Sequence, residues 1–596
     1  MSAAWEDDEL VATKAWDHSL FRRLVSFALP HRRLVALSFT VLATLFAFEL
    51  LGTWIWKHAI DGSMGLPAEE VDKALAVRSL LGWMGAYLGL ISVMMVLRYH
   101  ETATLTRMGQ AIIHDLRTKL FGHMQRLDLR FFDKQPTGSL VTRVTTDVEN
   151  LNEMFTSGVV VLFFDMLRVV VVLGILYALE WKLALVVTAM TPLLIGISIA
   201  FRGGARRAHR VVRARLARLN GYLQEVLSGI RVVQVFRREE RVSRRFAENL
   251  DEYFEANKRT IFLFALFYPS MSMAVYLIQG ATLWVAVATM ADGALTYGEF
   301  VQFWFLLNML VRPIRELGER YNVLQSAFAS AERIFQILDT QPSIRAPAEP
   351  ARLAGATNRP GHVRFEGVSF GYLPDRRVIR DVSFEIPPGR TLAIVGATGS
   401  GKSTLVNLLL RFYDPEQGRI TIDGVDITTL ELADLRQHFG LVLQEDFLFA
   451  GTVRENLVMD RPEVDDSSLE EALITSDAGR LIARLDGGLG AEVAERGATF
   501  STGERQLLAI ARALAGRPGI VILDEATASV DSGTERRIEE ATRKLLSGRS
   551  ALVVAHRLST IQDADEILVM HQGEVRERGT HDELLSKGGL YARLYA

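Results

Sequence analysis

The run Gly396-Ala-Thr-Gly-Ser-Gly-Lys402-Ser403 carries the residue types that a polyphosphate needs, at the spacing it needs. Its glycines let the backbone wrap an anion with successive N–H groups turned inward. An apolar β-type run, 391–395, precedes it, and a helix-like stretch, 405–410, follows, so the loop sits between a strand and a helix N-terminus. Gly396, Thr398, Gly399, Ser400, Gly401 and Thr404 are the expected cradle. Lys402 is placed to reach β- and γ-phosphates, and Ser403 to hold Mg²⁺. A glycine turn that binds nothing would not need the Lys-Ser pair or these flanks. The chemistry implied is binding of ATP or GTP.

Further polar residues end apolar runs in the same half of the chain. Gly519 to Leu523 leads into Asp524 and Glu525. Asp524 is expected to hold Mg²⁺ through water, and Glu525 to polarise the attacking water. His556 follows the run 551–554 and is expected at the γ-phosphate. Gln444 follows 440–443 and is expected to sense metal and water. Tyr372, upstream of the loop, offers a ring for stacking on adenine. Taken singly, His556 or Gln444 reads as structural; their order around the phosphate loop gives them a role.

The elements that position these residues occupy only part of the chain. The 596 residues are too many for one core. Residues 34–310 carry long apolar runs, whereas residues 360–596 read as a soluble α/β domain. A net charge of −3 gives no argument for nucleic acid. The absence of cysteine excludes disulfides, thiolate metal sites and a cysteine-protease domain. The N-terminus, acidic over 1–10, does not read as a signal peptide. Residues 18–29 are amphipathic and suit an interfacial helix.

Six stretches approach the roughly 20 apolar residues that a bilayer span requires: about 34–57, 79–98, 155–179, 183–201, 261–290 and 299–318. Arginine and lysine crowd the second-to-third and fourth-to-fifth connections, while the first is acidic. Positive-inside logic then predicts both termini and both long connections on the cytoplasmic side. Short transverse helices are expected near 136–147 and 220–229. At membrane depth, Glu49, Asp165, Arg168, Gln279, Gln302 and Asn308 are the candidate cargo-facing residues, with helix–helix hydrogen bonding as the alternative. Asp165 and Arg168, at i and i+3, are expected to pair. Glu49 has no partner nearby in sequence and is expected to favour cationic or amphipathic cargo. The Phe-rich fifth and sixth spans suit hydrophobic ligands, lipid contact and helix packing alike.

Over its whole length the chain resembles an ATP-binding-cassette half-transporter of the exporter class. The motifs run in the family's order: Tyr372, Walker A 396–403, Gln444, a signature near 500–506, Walker B 520–525, Asp531 and a switch His556; the stretch 492–497 resembles that ahead of exporter signatures. The resemblance implies a multi-domain fold. Residues 1–33 would form a tail and elbow helix, and 34–325 an all-α six-span transmembrane domain of the type I exporter fold. A linker, 326–360, would lead to an α/β nucleotide-binding domain, 361–596. It implies ATP and Mg²⁺ as ligands, a multi-pass place in the cytoplasmic membrane, and contacts with membrane lipid and a hydrophobic, lipid or peptide cargo. It also implies a second half-transporter, so that each ATP lies between one chain's Walker A and the other's signature, where Ser501, Gly503 and Asp531 contribute.

One departure stands out. The family's Leu-Ser-Gly-Gly-Gln is replaced by Phe500-Ser-Thr-Gly-Glu504. Thr502 puts a branched side chain where glycine allows close approach. Glu504 brings negative charge toward an anion, costing about 2–3 kcal/mol at ~6–10 Å and an effective dielectric of ~20. A complete Walker set beside a weakened signature resembles one subunit of the heterodimeric multidrug exporters. A homodimeric lipid or peptide exporter, or an ATP-gated regulator or channel with little transport, is the alternative.

Overall fold

The computed structural model describes residues 18–64, 73–345, 347, 349–353, 361–373, 375–444, 446–524, 532–554 and 558–595. Contacts divide the chain into two units, Met1–Gln125 with Thr137–Thr340, and Arg126–Pro136 with Gln341–Ala596.

The first unit is helical. Among the described residues, five helices are long and apolar enough to cross a membrane: His18–Gly62, Val77–Met124, Thr137–Leu179, Trp181–Ser228 and Glu239–Ala291. The sixth expected span lies in the helix Tyr297–Asp339 and is not among those five. Glu299, Gln302, Asn308 and Arg312 dilute its apolar run. Its start is fixed by a capping box between Thr296 and Glu299, and by Asp61, which accepts from the Gly298 N–H at 2.8 Å. A Cβ at Gly298 would fall 2.2 Å from the Lys57 carbonyl oxygen, so this close approach requires glycine. Phe46, Leu176, Leu183, Ile278, Phe303 and Leu307 belong to one buried cluster drawn from five helices. The expected interfacial helix forms as His18–Ala28; it buries Leu24 and ties Arg23 to Asp339 at 2.7 Å.

The short helices of the two long connections are Leu129–Lys134 and Thr137–Thr142, on either side of Pro136 and the second within the expected 136–147, and Ile230–Val235, just beyond the expected 220–229. The first begins at Asp128, whose carboxylate accepts from the Phe131 N–H, and stops at Gln135, which Pro136 pushes to extended backbone. Asn220 and Gly221 do not break their helix, because apolar residues on both sides sustain its period; the break comes at Gly229.

The second unit is built on two sheets. A six-stranded sheet runs in the order Glu574–Gly579, Glu566–His571, Thr391–Gly396, Ser550–Val554, Ile520–Asp524, Phe439–Val442, all parallel except the first. Its central strands are unbroken apolar runs, as burial on both faces demands. A four-stranded antiparallel sheet contains Ile379–Ile386, Val363–Phe370, Gln417–Ile422 and Val425–Asp426. The helix Thr502–Ala515 buries its apolar face in a cluster with Val521, Leu523 and Val553. Residues 126–136 belong to this unit: Leu129 packs on its core, Asp128 accepts from the Ser343 N–H at 2.7 Å, and the Tyr413 hydroxyl donates to Asp133.

Candidate functional site

Parallel pairing aligns the strand ends that carry the motifs. Ile394 pairs with Val554, Val554 with Asp524, and Leu523 with Val442. The chain therefore leaves four adjacent strands at one edge, at Gly396, Asp524, just before Gln444, and just before the expected His556. Ligands in open α/β sheets bind at such carboxyl ends. Glu525, Asp531 and His556 lie outside the described residues.

The loop itself is shaped for close approach. A Cβ at Gly396 would meet the Met570 carbonyl oxygen at 2.4 Å; Gly401, at φ +104°, would place one 2.6 Å from Ile379. The Lys402 ammonium donates to the carbonyl oxygens of Gly396 at 2.7 Å and Ala397 at 3.2 Å. Burial pulls its pKa below the ordinary value, against the attraction of Asp524. The Ser400 Oγ is buried without a hydrogen-bond partner inside the loop. This cradle, a lysine on its axis and an unsatisfied hydroxyl fit a polyphosphate; Ser403 and Asp524 offer the hard oxygen donors that suit Mg²⁺. The Tyr372 hydroxyl lies 3.3 Å from both Thr404 Oγ1 and Asn407 Nδ2, so the first turns of the loop's helix fix the ring. Tyr413 meets that ring edge-on, with centroids 5.1 Å apart.

The altered signature forms a helix start that satisfies itself. Ser501 Oγ accepts from the Glu504 N–H at 3.3 Å, and the Glu504 carboxylate accepts from the Ser501 N–H at 2.8 Å. Thr502 Oγ1 accepts from Arg505 at 3.2 Å. The carboxylate at the third helical position takes the positive end of the helix for itself. The spacing Ser-x-x-Glu announces this box in the sequence, and reading the motif only by its departure from Leu-Ser-Gly-Gly-Gln missed it.

The polar residues of the membrane unit meet differently from the expectation. Glu49 is doubly paired, with Arg98 at 2.7 Å and Arg168 at 2.9 Å. Arg168 thus reaches Glu49 rather than its neighbour Asp165, which lies 4.0 Å from Arg320. Arg320 also reaches Glu316 and the Ser157 carbonyl oxygen, the latter within a π-helical turn, Met154–Gly158. The i, i+3 spacing makes a local pair geometrically available, but the first span brings a second carboxylate closer. Glu49 is therefore no lone negative charge, and the expected preference for cationic cargo loses its ground. Gln279 donates to Asn308 at 3.3 Å, joining the fifth and sixth spans; Gln302 is buried. Arg98, Arg312 and Arg320 went unnoticed because arginine at a span's end reads as an interfacial anchor.

Residues 34–314 match the family of ABC transporter transmembrane regions, and residues 379–528 match the ABC transporter family. The uncharacterized ABC transporter ATP-binding protein YknV of Bacillus subtilis is 39% identical over 99% of this chain and 96% of its own. A fatty acid ABC transporter ATP-binding/permease protein of Mycobacterium bovis is 37% identical over 90% of this chain and 83% of its own. The structure of a bacterial Atm1-family ABC exporter with ATP bound superposes with a TM-score of 0.76, at 29% identity, covering 95% of this chain and 98% of that one. With a helical membrane unit, a phosphate loop on a parallel sheet and relatives matched along nearly their whole length, the chain belongs to the ATP-binding-cassette exporters, ATPases coupled to transport across a membrane.

Proposed function

We propose that this chain is one half of a heterodimer that exports hydrophobic or amphipathic compounds of drug or lipid class across the cytoplasmic membrane, with both termini inside. The observation that carries this reading is the contrast between a full Walker set and a signature that carries the branched Thr502 and the negative charge of Glu504. Two chains meet head to tail, and this chain's Walker half faces a standard signature from its partner. Lys402 and the N–H groups of 396–404 hold the phosphates, Tyr372 stacks on the base, and Ser403, Gln444 and Asp524 hold Mg²⁺, which when bound offsets phosphate charge. Glu525 orients and polarises the attacking water, and His556 contacts the γ-phosphate. Ser501, Gly503 and Asp531 face the partner's ATP, which this signature serves poorly. Closure on ATP switches the membrane cavity from inward- to outward-facing, and hydrolysis resets it. The fatty-acid transporter among the relatives supports a lipid-class cargo.

ATP turnover of the chain purified alone in lipid tests the assembly, with Glu525→Gln as control. Folded, ATP-binding protein that turns over slowly is the expected result. Brisk hydrolysis abolished in Glu525→Gln would instead mean a working homodimer that tolerates Thr502 and Glu504.

A further inference from the structure

The third-span helix, Thr137–Leu179, runs through two turns that widen to the π form, Arg143–Asp147 and Met154–Gly158. Such turns are rare and gather at functional places. Each of these two gives a backbone carbonyl to an arginine of another helix. Arg117, on Lys73–Met124, donates to the Val144 carbonyl oxygen at 3.2 Å. Arg320, on Tyr297–Asp339, donates to the Ser157 carbonyl oxygen at 2.5 Å. The same two neighbours also close in around the turns. A Cβ at Gly109 would fall 2.4 Å from Thr156 and 2.5 Å from Asn152, and Asn150 donates to Ser330 at 2.9 Å.

Asp147, at the end of the first turn, gathers this lacing into one buried group. Its side chain is 3% exposed. Its carboxylate accepts from Arg143 at 3.0 Å, from Ser330 at 2.9 Å, and from two nitrogens of Arg333 at 3.0 and 2.5 Å. A two-pronged guanidinium contact fixes orientation as well as distance. Breaking one partner away from a buried charge is costly, so the third-span helix and Tyr297–Asp339 are held in one register.

That register matters because of where the chain goes next. It passes between the membrane unit and the nucleotide-binding unit at 125/126, 136/137 and 340/341. The three helices laced here, Lys73–Met124, Thr137–Leu179 and Tyr297–Asp339, are the ones that end or begin at those crossings. His123 also donates to the Thr340 carbonyl oxygen at 3.0 Å, which ties two of the crossings close to their ends.

We propose that Asp147 is a positioning residue for coupled transport. It locks the three helices into one rigid base, so that a movement of the nucleotide-binding unit enters the membrane unit at three points as a single displacement. The joint stays shut throughout the cycle. This rests on the coupling of ATP turnover to transport and is independent of whether the partner is a second kind of chain.

The test reads amide hydrogen exchange in peptides covering 105–124, 143–158 and 320–339, with and without ATPγS and Mg²⁺. The full chain is used, in the dimer it forms in phosphatidylcholine nanodiscs. In the unaltered protein the slowest amides of the three segments should exchange through one shared opening and shift together when nucleotide binds. Asp147→Ala should split them: 143–158 exchanges about tenfold or more faster, as lost charge-assisted hydrogen bonds allow, and no longer follows nucleotide. In that variant 320–339, which the chain itself joins to the cassette, should still respond. Basal ATP hydrolysis should persist, and Asp147→Asn, which can still accept, should split the segments less. Unrelated exchange rates in the unaltered protein would overturn the proposal, as would nucleotide shifting one segment without the others. A merely structural aspartate would loosen all three segments alike in Asp147→Ala and leave their nucleotide response joined, which would also overturn it. A second variant stands apart from any folding defect of the first. The chain has no cysteine, so Asn150→Cys with Ser330→Cys can be bridged by a short bis-methanethiosulfonate without background. The bridged protein should keep the turnover of its unbridged form. Turnover that stops on bridging and returns with reductant would show that the joint has to open, against the proposal.

Discussion

Asp446 sits two residues beyond Gln444, its Oδ1 buried without a hydrogen-bond partner, near Arg505 and Arg512 of the signature helix. Burial pushes its carboxyl up to about 7, and the two arginines only partly oppose this. The folded chain therefore holds a proton that the unfolded chain releases near pH 4. The stability it contributes is complete below that pH and is lost as pH rises through 7, at about 1.4 kcal/mol per unit of pKa difference. Thermal unfolding between pH 5 and 8 should show a decline that Asp446→Asn flattens; parallel slopes would show that Asp446 does not titrate in this way. Sequence carries no sign of this burial, since an aspartate in a polar run reads as solvated. The phosphate loop is the opposite case: the close approach of its backbone at Gly396 and Gly401 requires glycine, and that requirement is written in the residue types themselves.

At the scale of elements, the helix Leu129–Lys134 is joined to the nucleotide site through side chains. Tyr413 donates to Asp133 at one end and meets Tyr372 edge-on at the other. Burial, then the hydrogen bond to Asp133, holds the Tyr413 phenol well above its usual pKa, so it remains a donor. Tyr413→Phe keeps both ring contacts and removes one hydrogen bond, worth about 1 kcal/mol. ATP binding and basal turnover should survive in that variant, while stimulation of turnover by cargo falls severalfold. Asp133→Asn, which can still accept, should fall less; equal stimulation in all three proteins would show that the bond transmits nothing. The sequence anticipated short helices in both long connections: Thr137–Thr142 lies within the first expected stretch, whereas Leu129–Lys134 and Ile230–Val235 lie outside both. Its cues were glycine and proline, yet Leu129–Lys134 is set by Asp128 as a cap, and Asn220-Gly221 is overridden by the apolar period around it.

For the molecule as a whole, the order of elements was readable because it is written in local patterns: apolar runs of span length, then strand, loop and helix. What stayed hidden is pairing over long separations. Glu49 meets Arg98 and Arg168, and Arg23 meets Asp339, across distances in sequence at which any of dozens of arginines was an equal candidate. The third span shows the same limit: the i, i+3 geometry for Asp165 and Arg168 was correct, but a neighbouring helix supplied the better partner.

Residues 126–136 fold with the nucleotide-binding unit although they are encoded between two membrane spans. The border between the units is thus not a single point on the chain, and recombination has to respect that. A chimera that exchanges the cassette at residue 341 alone would set a foreign Tyr413 equivalent against the original Asp133. One that also exchanges 126–136 would transplant the whole unit. An isolated cassette beginning at 341 should likewise melt lower than the intact unit and gain stability when a peptide of residues 126–136 is supplied, as any ligand of the folded state would confer. Interchangeability among exporters of this architecture is then a property of a cassette together with its borrowed loop, and the loop is inherited with the other half.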